Sequence, residues 1–170
     1  MFNNPRHRDV SEFSGNFAFL SNFFPSPMNI SGANWATVEH FYQACKTLDP
    51  IQAEVIREAE TPNRAKRYGR NLQLRADWDQ IKLQVMEFIV EQKFLQNPQL
   101  MERLKSTGNA TLVEGNCWHD NFWGDCSCAR CRNKPGQNQL GKILMSVRWR
   151  YSYVKVNPLE IMARGLREVR

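Results

Sequence analysis

Between residues 77 and 96 the apolar positions Trp78, Ile81, Val85, Phe88 and Ile89 recur at helical spacing. They predict the longest helix of the chain, stopped by Asn97-Pro98. The same period in Val38, Phe41, Cys45 and Leu48 predicts a helix from about Thr37 to Leu48, with Thr37 as N-cap. On that helix Glu39, Gln43 and Lys46 share a different face. Residues 50–60 predict another helix, and Thr61-Pro62 opens a short one that Gly69 closes. Further helices are expected from Pro98 to Ser106, ending at Gly108, and from about Gln139 to Trp149.

Strand signals are fewer. Phe17 to Phe24 reads as an extended segment closed by Pro25 and Pro27. Met28–Ile30 and Ala33–Trp35 flank Ser31-Gly32 as a small hairpin, and Thr111–Val113 is a short strand candidate. Residues 115–138 form a long loop rich in Asn, Cys, Trp, Gly and Asp. Such loops are usually functional or disordered, and its two tryptophans argue against disorder. No internal repeat or low-complexity linker interrupts the chain. The pattern predicts a helix-dominated α+β single domain with a small β-sheet over residues 13–150, preceded by a loose polar arm (1–12). A basic tail (151–170) follows, with a weak amphipathic pattern near Leu159–Val169.

Composition narrows the function classes. The 170 residues are 42% hydrophobic, enough for one domain with a real core. The net charge of +6 fits anionic ligands such as phosphates, nucleotides or nucleic acid, and fits equally a surface of scattered lysines and arginines. No apolar run reaches membrane-span length, and the polar start lacks the apolar core of a signal peptide; a cytoplasmic protein with no membrane partner is expected. Three of the five cysteines crowd into positions 126, 128 and 131, a poor disulfide framework that suits a reducing compartment. Five tryptophans and ten phenylalanines serve a core or stack on a base.

Several groups could carry chemistry. Glu39-His40 lies in a helix first turn, where the helix dipole favours an anion unless burial opposes it; an ordinary first-turn glutamate is the plainer reading. The loop Trp118-His119-Asp120-Asn121-Phe122-Trp123-Gly124-Asp125 offers a second carboxylate and two indoles. Arg64, Lys66, Arg67, Arg70 and Arg75 form a basic cluster, either a phosphate site or a solvated helix face. Lys134 to Asn138 leads into a helix whose first N–H groups could hold an anion. Cys126-x-Cys128-x-x-Cys131 has metal-like spacing that Cys117 or His119 could complete for zinc; free thiols are the alternative.

Leu20-Ser21-Asn22-Phe23 and Trp35-x-Thr37-x-Glu39-His40, running into Gln43-Ala44-x-Lys46, resemble the YbiA-like, or NADAR, family. Gly69-Arg70, Arg75-x-x-Trp78, Leu112-Val113-Glu114, Trp123-Gly124-Asp125 and Asn138-x-Leu140-Gly141-x-x-Leu144-Met145 follow in the family's order, over about residues 13–148. The resemblance implies the YbiA-like fold and an N-glycosidase. Its substrates would be phosphorylated ribosylamino-pyrimidine intermediates of riboflavin synthesis or, alternatively, ADP-ribose on guanine in nucleic acid and other ADP-ribose derivatives. It implies Glu39 and Asp125 as catalytic carboxylates, Trp78 and Trp123 as walls for the base, and Asn22, Lys46, Arg70 and Asn138 as holders of ribose or phosphate. It transfers no metal and no cofactor, because the Cys-rich insertion after Asp125 occurs in only part of the family. Ala36 and Val38 depart from the family's usual residues at helix entry. A non-enzymatic nucleotide- or nucleic-acid-binding module is the remaining alternative, and oligomeric state is not legible in the chain.

Overall fold

The structure is a computed structural model that describes residues 9–152. Residues 1–8 and the tail pattern near Leu159–Val169 lie outside the described residues. The chain forms two compact units, one of residues 22–97 and one that joins the segment up to Ser21 to the segment from Pro98 onward.

In the unit of residues 22–97, β1 (Met28–Ile30) pairs antiparallel with β2 (Ala33–Trp35) in the register Met28 to Trp35. The predicted hairpin is present, and its two turn residues, Ser31 (φ 51°) and Gly32 (φ 84°), are both left-handed, as a two-residue turn matching strand twist requires. Four helices follow: α1 (Val38–Ala44), α2 (Pro50–Arg57), α3 (Pro62–Arg70) and α4 (Trp78–Gln96). Thr37 caps α1, Asp49 caps α2 and Thr61 caps α3, each accepting backbone N–H groups of the first turn, and prolines open α2 and α3. Ala44, Ile56 and Ala65 form a buried cluster where α1, α2 and α3 meet, with Trp35, Ala53, Ala59 and Leu72 packed around it. α1 ends earlier than its apolar stripe suggests, so Leu48 lies beyond the helix and is exposed. Along α4 the buried stripe is Trp78, Met86, Ile89, Val90 and Phe94; Phe88, expected inward, is partly exposed.

In the second unit, residues 15–20 form a 3-10 helix (Gly15–Leu20), not the expected extended segment. Alternating Phe17 and Phe19 mimic a strand's period of two. The local bonds Phe17 N–H to Ser14 O (2.8 Å) and Ser21 N–H to Ala18 O (3.0 Å) prevail, burying Phe19 and Leu20. The end of the supposed loose arm is fixed: Val10 is buried and exchanges backbone bonds with Thr111 and Val113 across a parallel bridge to Leu112. α5 (Pro98–Ser106) packs with α6 (Gln139–Tyr151), and buried Arg148 of α6 donates to Thr107 Oγ1 at 2.7 Å. Within the long loop, β3 (Gly115–Asn116) pairs in parallel with β4 (Asp125–Cys126). Among the described residues no helix is long and apolar enough to cross a membrane.

Candidate active site around Glu39

α1 is a seven-residue helix with six residues buried, among them the polar Glu39, His40 and Gln43. A surface helix would bury one stripe and leave the polar face wet. Buried polar groups persist only where each finds a partner, and His40 shows how this is met. Thr37 Oγ1 accepts the His40 N–H and lies 2.8 Å from His40 Nδ1, while His40 Nε2 lies 3.0 Å from Ala59 O. A carbonyl oxygen can only accept, so Nε2 carries the proton and Nδ1 receives the threonine hydroxyl. Burial lowers the His40 pKa, and the bond to Ala59 works against that shift. His40 is therefore a neutral bracket between the cap of α1 and the segment after α2. Of the Glu39-His40 pair, only Glu39 remains open to chemistry.

Glu39 is 5% exposed. Its backbone N–H donates to Asn22 O at 3.1 Å, and one carboxylate oxygen, Oε1, accepts Gln43 Nε2–H at 2.7 Å. Burial pushes its pKa above the ordinary glutamate value; the Gln43 bond and the charges of Lys66, Lys46 and Arg70 oppose the rise. The first-turn dipole contributes about 0.3–1 kcal/mol toward the anion. Removing an ion from water costs several kcal/mol, so burial sets the direction. Burial likewise lowers the Lys46 pKa; the Glu39 charge counters this, while Lys66 and Arg70 add to it.

One carboxylate thus lies in the field of three cations, from the end of α1 and one side of α3. α3 comes close to α1 through small residues. Ala65 and Gly69 are buried, and a Cβ on Gly69 would fall within 1.9 Å of Gln43 Oε1. Gly69 therefore does not close α3, which runs on to Arg70; it leaves room for the carboxamide that holds Glu39. Lys66 follows Ala65 and Arg70 follows Gly69, so the small-residue contact carries both cations toward α1. The rest of the basic cluster includes two arginines engaged elsewhere: Arg64 pairs with Glu60 at 2.8 Å, and Arg75 chelates Asp77 at 2.6 and 2.9 Å.

Aromatic rings line the same region. Lys46 Nζ lies 5.5 Å from the Tyr42 ring centre, Tyr42 packs on Trp78 at 5.1 Å, and Lys66 Nζ is 5.3 Å from the Phe23 ring. Trp78, expected to wall the base, is 5% exposed and lies against Tyr42. Asn22 Nδ2 approaches Met86 Sδ at 3.5 Å, and its Oδ1 is buried with no partner among the described residues, as is Gln43 Oε1. The structure thus brings Asn22, Glu39, Lys46, Arg70 and Trp78 into one unit and adds Lys66, Tyr42 and Phe23. The signal for Lys66 is its four-residue spacing from Arg70 on a helix face beside two small residues.

Asp125, Trp123 and Asn138 lie in the other unit. Phe122, Trp123 and Gly124 turn their carbonyls onto the N–H groups of Gln139, Leu140 and Asn138 (3.0–3.1 Å). The anion site suggested for the Lys134–Asn138 approach to α6 is therefore occupied by the protein's own backbone. Asp125 Oδ1 accepts the Gly136 N–H at 2.8 Å, and the half-buried Trp123 ring packs edge-on to Phe122 at 4.8 Å. Asn138, at φ 49°, receives the Glu114 N–H on its amide oxygen (3.0 Å) and donates to Leu112 O (2.8 Å). Asn138→Ala leaves both backbone groups without those partners, and alanine tolerates a positive φ less well than asparagine does. A loss of about 2–4 kcal/mol of stability is expected from thermal melting, with KM of the surviving folded enzyme changed little. A large KM rise without destabilisation would instead mark Asn138 as a substrate contact.

The NADAR domain family model matches residues 1–151. An N-glycosidase of Nostoc punctiforme is 44% identical over 137 residues, covering 78% of this chain and 84% of that protein. A riboflavin biosynthesis protein of Vibrio vulnificus is 42% identical over 135 residues, and the match spans about a third (35%) of that longer protein. The solved structure of Escherichia coli YbiA superposes with a TM-score of 0.72 at 31% identity, covering 94% of this chain and 92% of that one. The family model spans nearly the whole described chain and the fold agrees with that of YbiA: the chain belongs to the NADAR domain family.

Proposed function

We propose that this protein hydrolyses the N-glycosidic bond of a phosphorylated ribosylamino-pyrimidine of the kind formed in riboflavin synthesis. The enzyme class is that of its N-glycosidase relatives. The observation that carries the substrate reading is the buried Glu39 carboxylate set among Lys46, Lys66 and Arg70. Three cations against one anion leave an excess of positive charge that a sugar phosphate neutralises. The C1′–N bond breaks with its electron pair going to nitrogen, and positive charge develops on the ribose ring. The Glu39 carboxylate stabilises that charge and takes a proton from the attacking water, whose oxygen bonds to C1′. The departing amine nitrogen takes a proton from solvent, Glu39 returns the proton it took from water to solvent, and ribose phosphate is the second product. The unpartnered Asn22 Oδ1 accepts a ribose hydroxyl, and Tyr42, backed by Trp78, flanks the base. Catalysis by Asp125 and base-walling by Trp123 rest on the sequence resemblance, and Asp125→Asn in the same assay decides the first.

The test is incubation with a ribosylamino-pyrimidine phosphate and, separately, with DNA bearing ADP-ribosyl-guanine, each beside Glu39→Gln. Glu39-dependent release of base and sugar phosphate from the first is expected. Release of ADP-ribose from the second alone would transfer the reading to nucleic acid. Ligand binding without release from either would support a binding module.

A further inference from the structure

The insertion that follows Asp125 has a geometry independent of the Glu39 site. His119, Cys126, Cys128 and Cys131 bring one donor atom each to within 4.8 Å of one another. His119 Nδ1 lies 2.8 Å from Cys128 Sγ and 3.7 Å from Cys131 Sγ, and the His119 N–H donates to Cys126 Sγ at 3.3 Å. His119 reaches this position from a left-handed backbone (φ 70°), which turns its ring toward the thiols. Asn116 braces the approach, its Oδ1 accepting the Trp118 and Asp120 N–H groups. On the other side, a turn in which Cys128 O accepts the N–H groups of Cys131 and Arg132 brings Cys131 back beside Cys128. Spacing alone leaves Cys117 and His119 as rival fourth ligands. The fold selects His119, and Cys117 is exposed outside the cluster.

We propose that His119, Cys126, Cys128 and Cys131 form a structural zinc site. A tetrahedron with Zn–S near 2.3 Å and Zn–N near 2.0 Å has edges of about 3.5–3.8 Å, so the donors close on the ion with movements of about an ångström. The three thiols release their protons to solvent on binding, and the imidazole stays neutral. Four protein ligands leave no open position, so the ion fastens the loop and activates no water. The loop has need of such a fastening: its ladder is the two-residue pairing of β3 with β4, and Cys126 is the last residue of β4. The site follows directly on Asp125, so zinc also fixes the end of the Trp123-Gly124-Asp125 turn.

Metal analysis of the purified full chain by mass spectrometry tests this directly. About one zinc per chain is expected, surviving desalting, with Cys128→Ser and His119→Ala each reducing it more than about tenfold and Cys117→Ser leaving it unchanged. Cobalt added to metal-stripped protein should give thiolate-to-metal charge-transfer bands of a tetrahedral site, which settles the matter on the wild-type chain if a variant fails to fold. Zinc below about a tenth per chain with no cobalt bands after reconstitution would overturn the proposal. So would zinc retained in Cys128→Ser, iron with sulfide in its place, or a disulfide among the three cysteines in freshly purified reduced protein.

Discussion

Glu39→Gln is expected to lower kcat by about a thousandfold or more, while Tm stays the same or rises by a few degrees. The loss follows from position: the Glu39 carboxylate lies in the field of Lys46, Lys66 and Arg70, and a neutral amide neither balances a ribosyl cation nor takes a proton from water. The stability follows from burial. The introduced glutamine is isosteric with the glutamate it replaces and its amide oxygen still accepts the Gln43 bond, so the packing of α1 survives. What disappears is the cost of holding an ion 5% exposed. The pH dependence separates this from a trivial repacking effect. Burial raises the folded-state pKa of Glu39 above the ordinary value of 4.5, so between the two values the folded chain binds more protons than the unfolded one. Wild-type stability therefore falls as pH rises through that window, and the variant lacks this fall. The Tm gain of Glu39→Gln should be absent below about pH 4 and largest near neutrality. Melting and steady-state kinetics across pH measure both. Near-normal turnover in a folded Glu39→Gln protein would remove Glu39 from the mechanism.

The same burial explains which parts of the fold the sequence disclosed. Caps and turns are legible because their chemistry is local: Thr37, Thr61-Pro62 and Ser31-Gly32 act within a few residues of themselves. The 3-10 helix at Gly15–Leu20 is not, since alternating phenylalanines carry a strand's period whatever backbone they adopt. α1 departs from its pattern for a different reason. Its apolar stripe extends to Leu48, whereas the helix stops at Ala44 and is buried almost all round. Binary pattern cannot announce a helix whose polar residues go inside, and such violations gather at functional sites. The motif points to Glu39, Lys46 and Arg70, while Lys66 is marked only as one member of the basic cluster, either a phosphate site or a solvated helix face. The relevance of Lys66 depends on α3 approaching α1 at Ala65 and Gly69, a tertiary contact invisible in spacing alone. The tryptophans of the 115–138 loop argue for order, yet Trp118 is 59% exposed. Order comes instead from the carbonyls of Phe122, Trp123 and Gly124, which accept the N–H groups at the start of α6.

Lys66→Met is the more discriminating charge variant, because Lys66 touches both halves of the proposed chemistry. If it holds the substrate phosphate, the loss of one charge-assisted contact is worth about 1.5–3 kcal/mol, or roughly 10- to 100-fold in kcat/KM. At a pH above the acid limb of both proteins, the matching nucleoside without phosphate should be hydrolysed equally slowly by wild type and variant, since the deleted contact had nothing to hold. The second effect falls on Glu39 itself. Its carboxylate is faced by Gln43 and Lys46 from α1 and its end, and by Lys66 and Arg70 from α3, and each of these groups lowers its pKa against the rise imposed by burial. Removing the Lys66 charge raises the Glu39 pKa further, so less of the active carboxylate is present at a given acidic pH. The acid limb of the kcat/KM profile, expected above the ordinary glutamate range in wild type, should move to higher pH in Lys66→Met. A substrate-only role for Lys66 would depress kcat/KM and leave that limb in place, and a purely structural role would lower Tm and move neither in a phosphate-dependent way. A limb shift together with phosphate-selective loss requires the lysine to face the carboxylate and the phosphate in the same site.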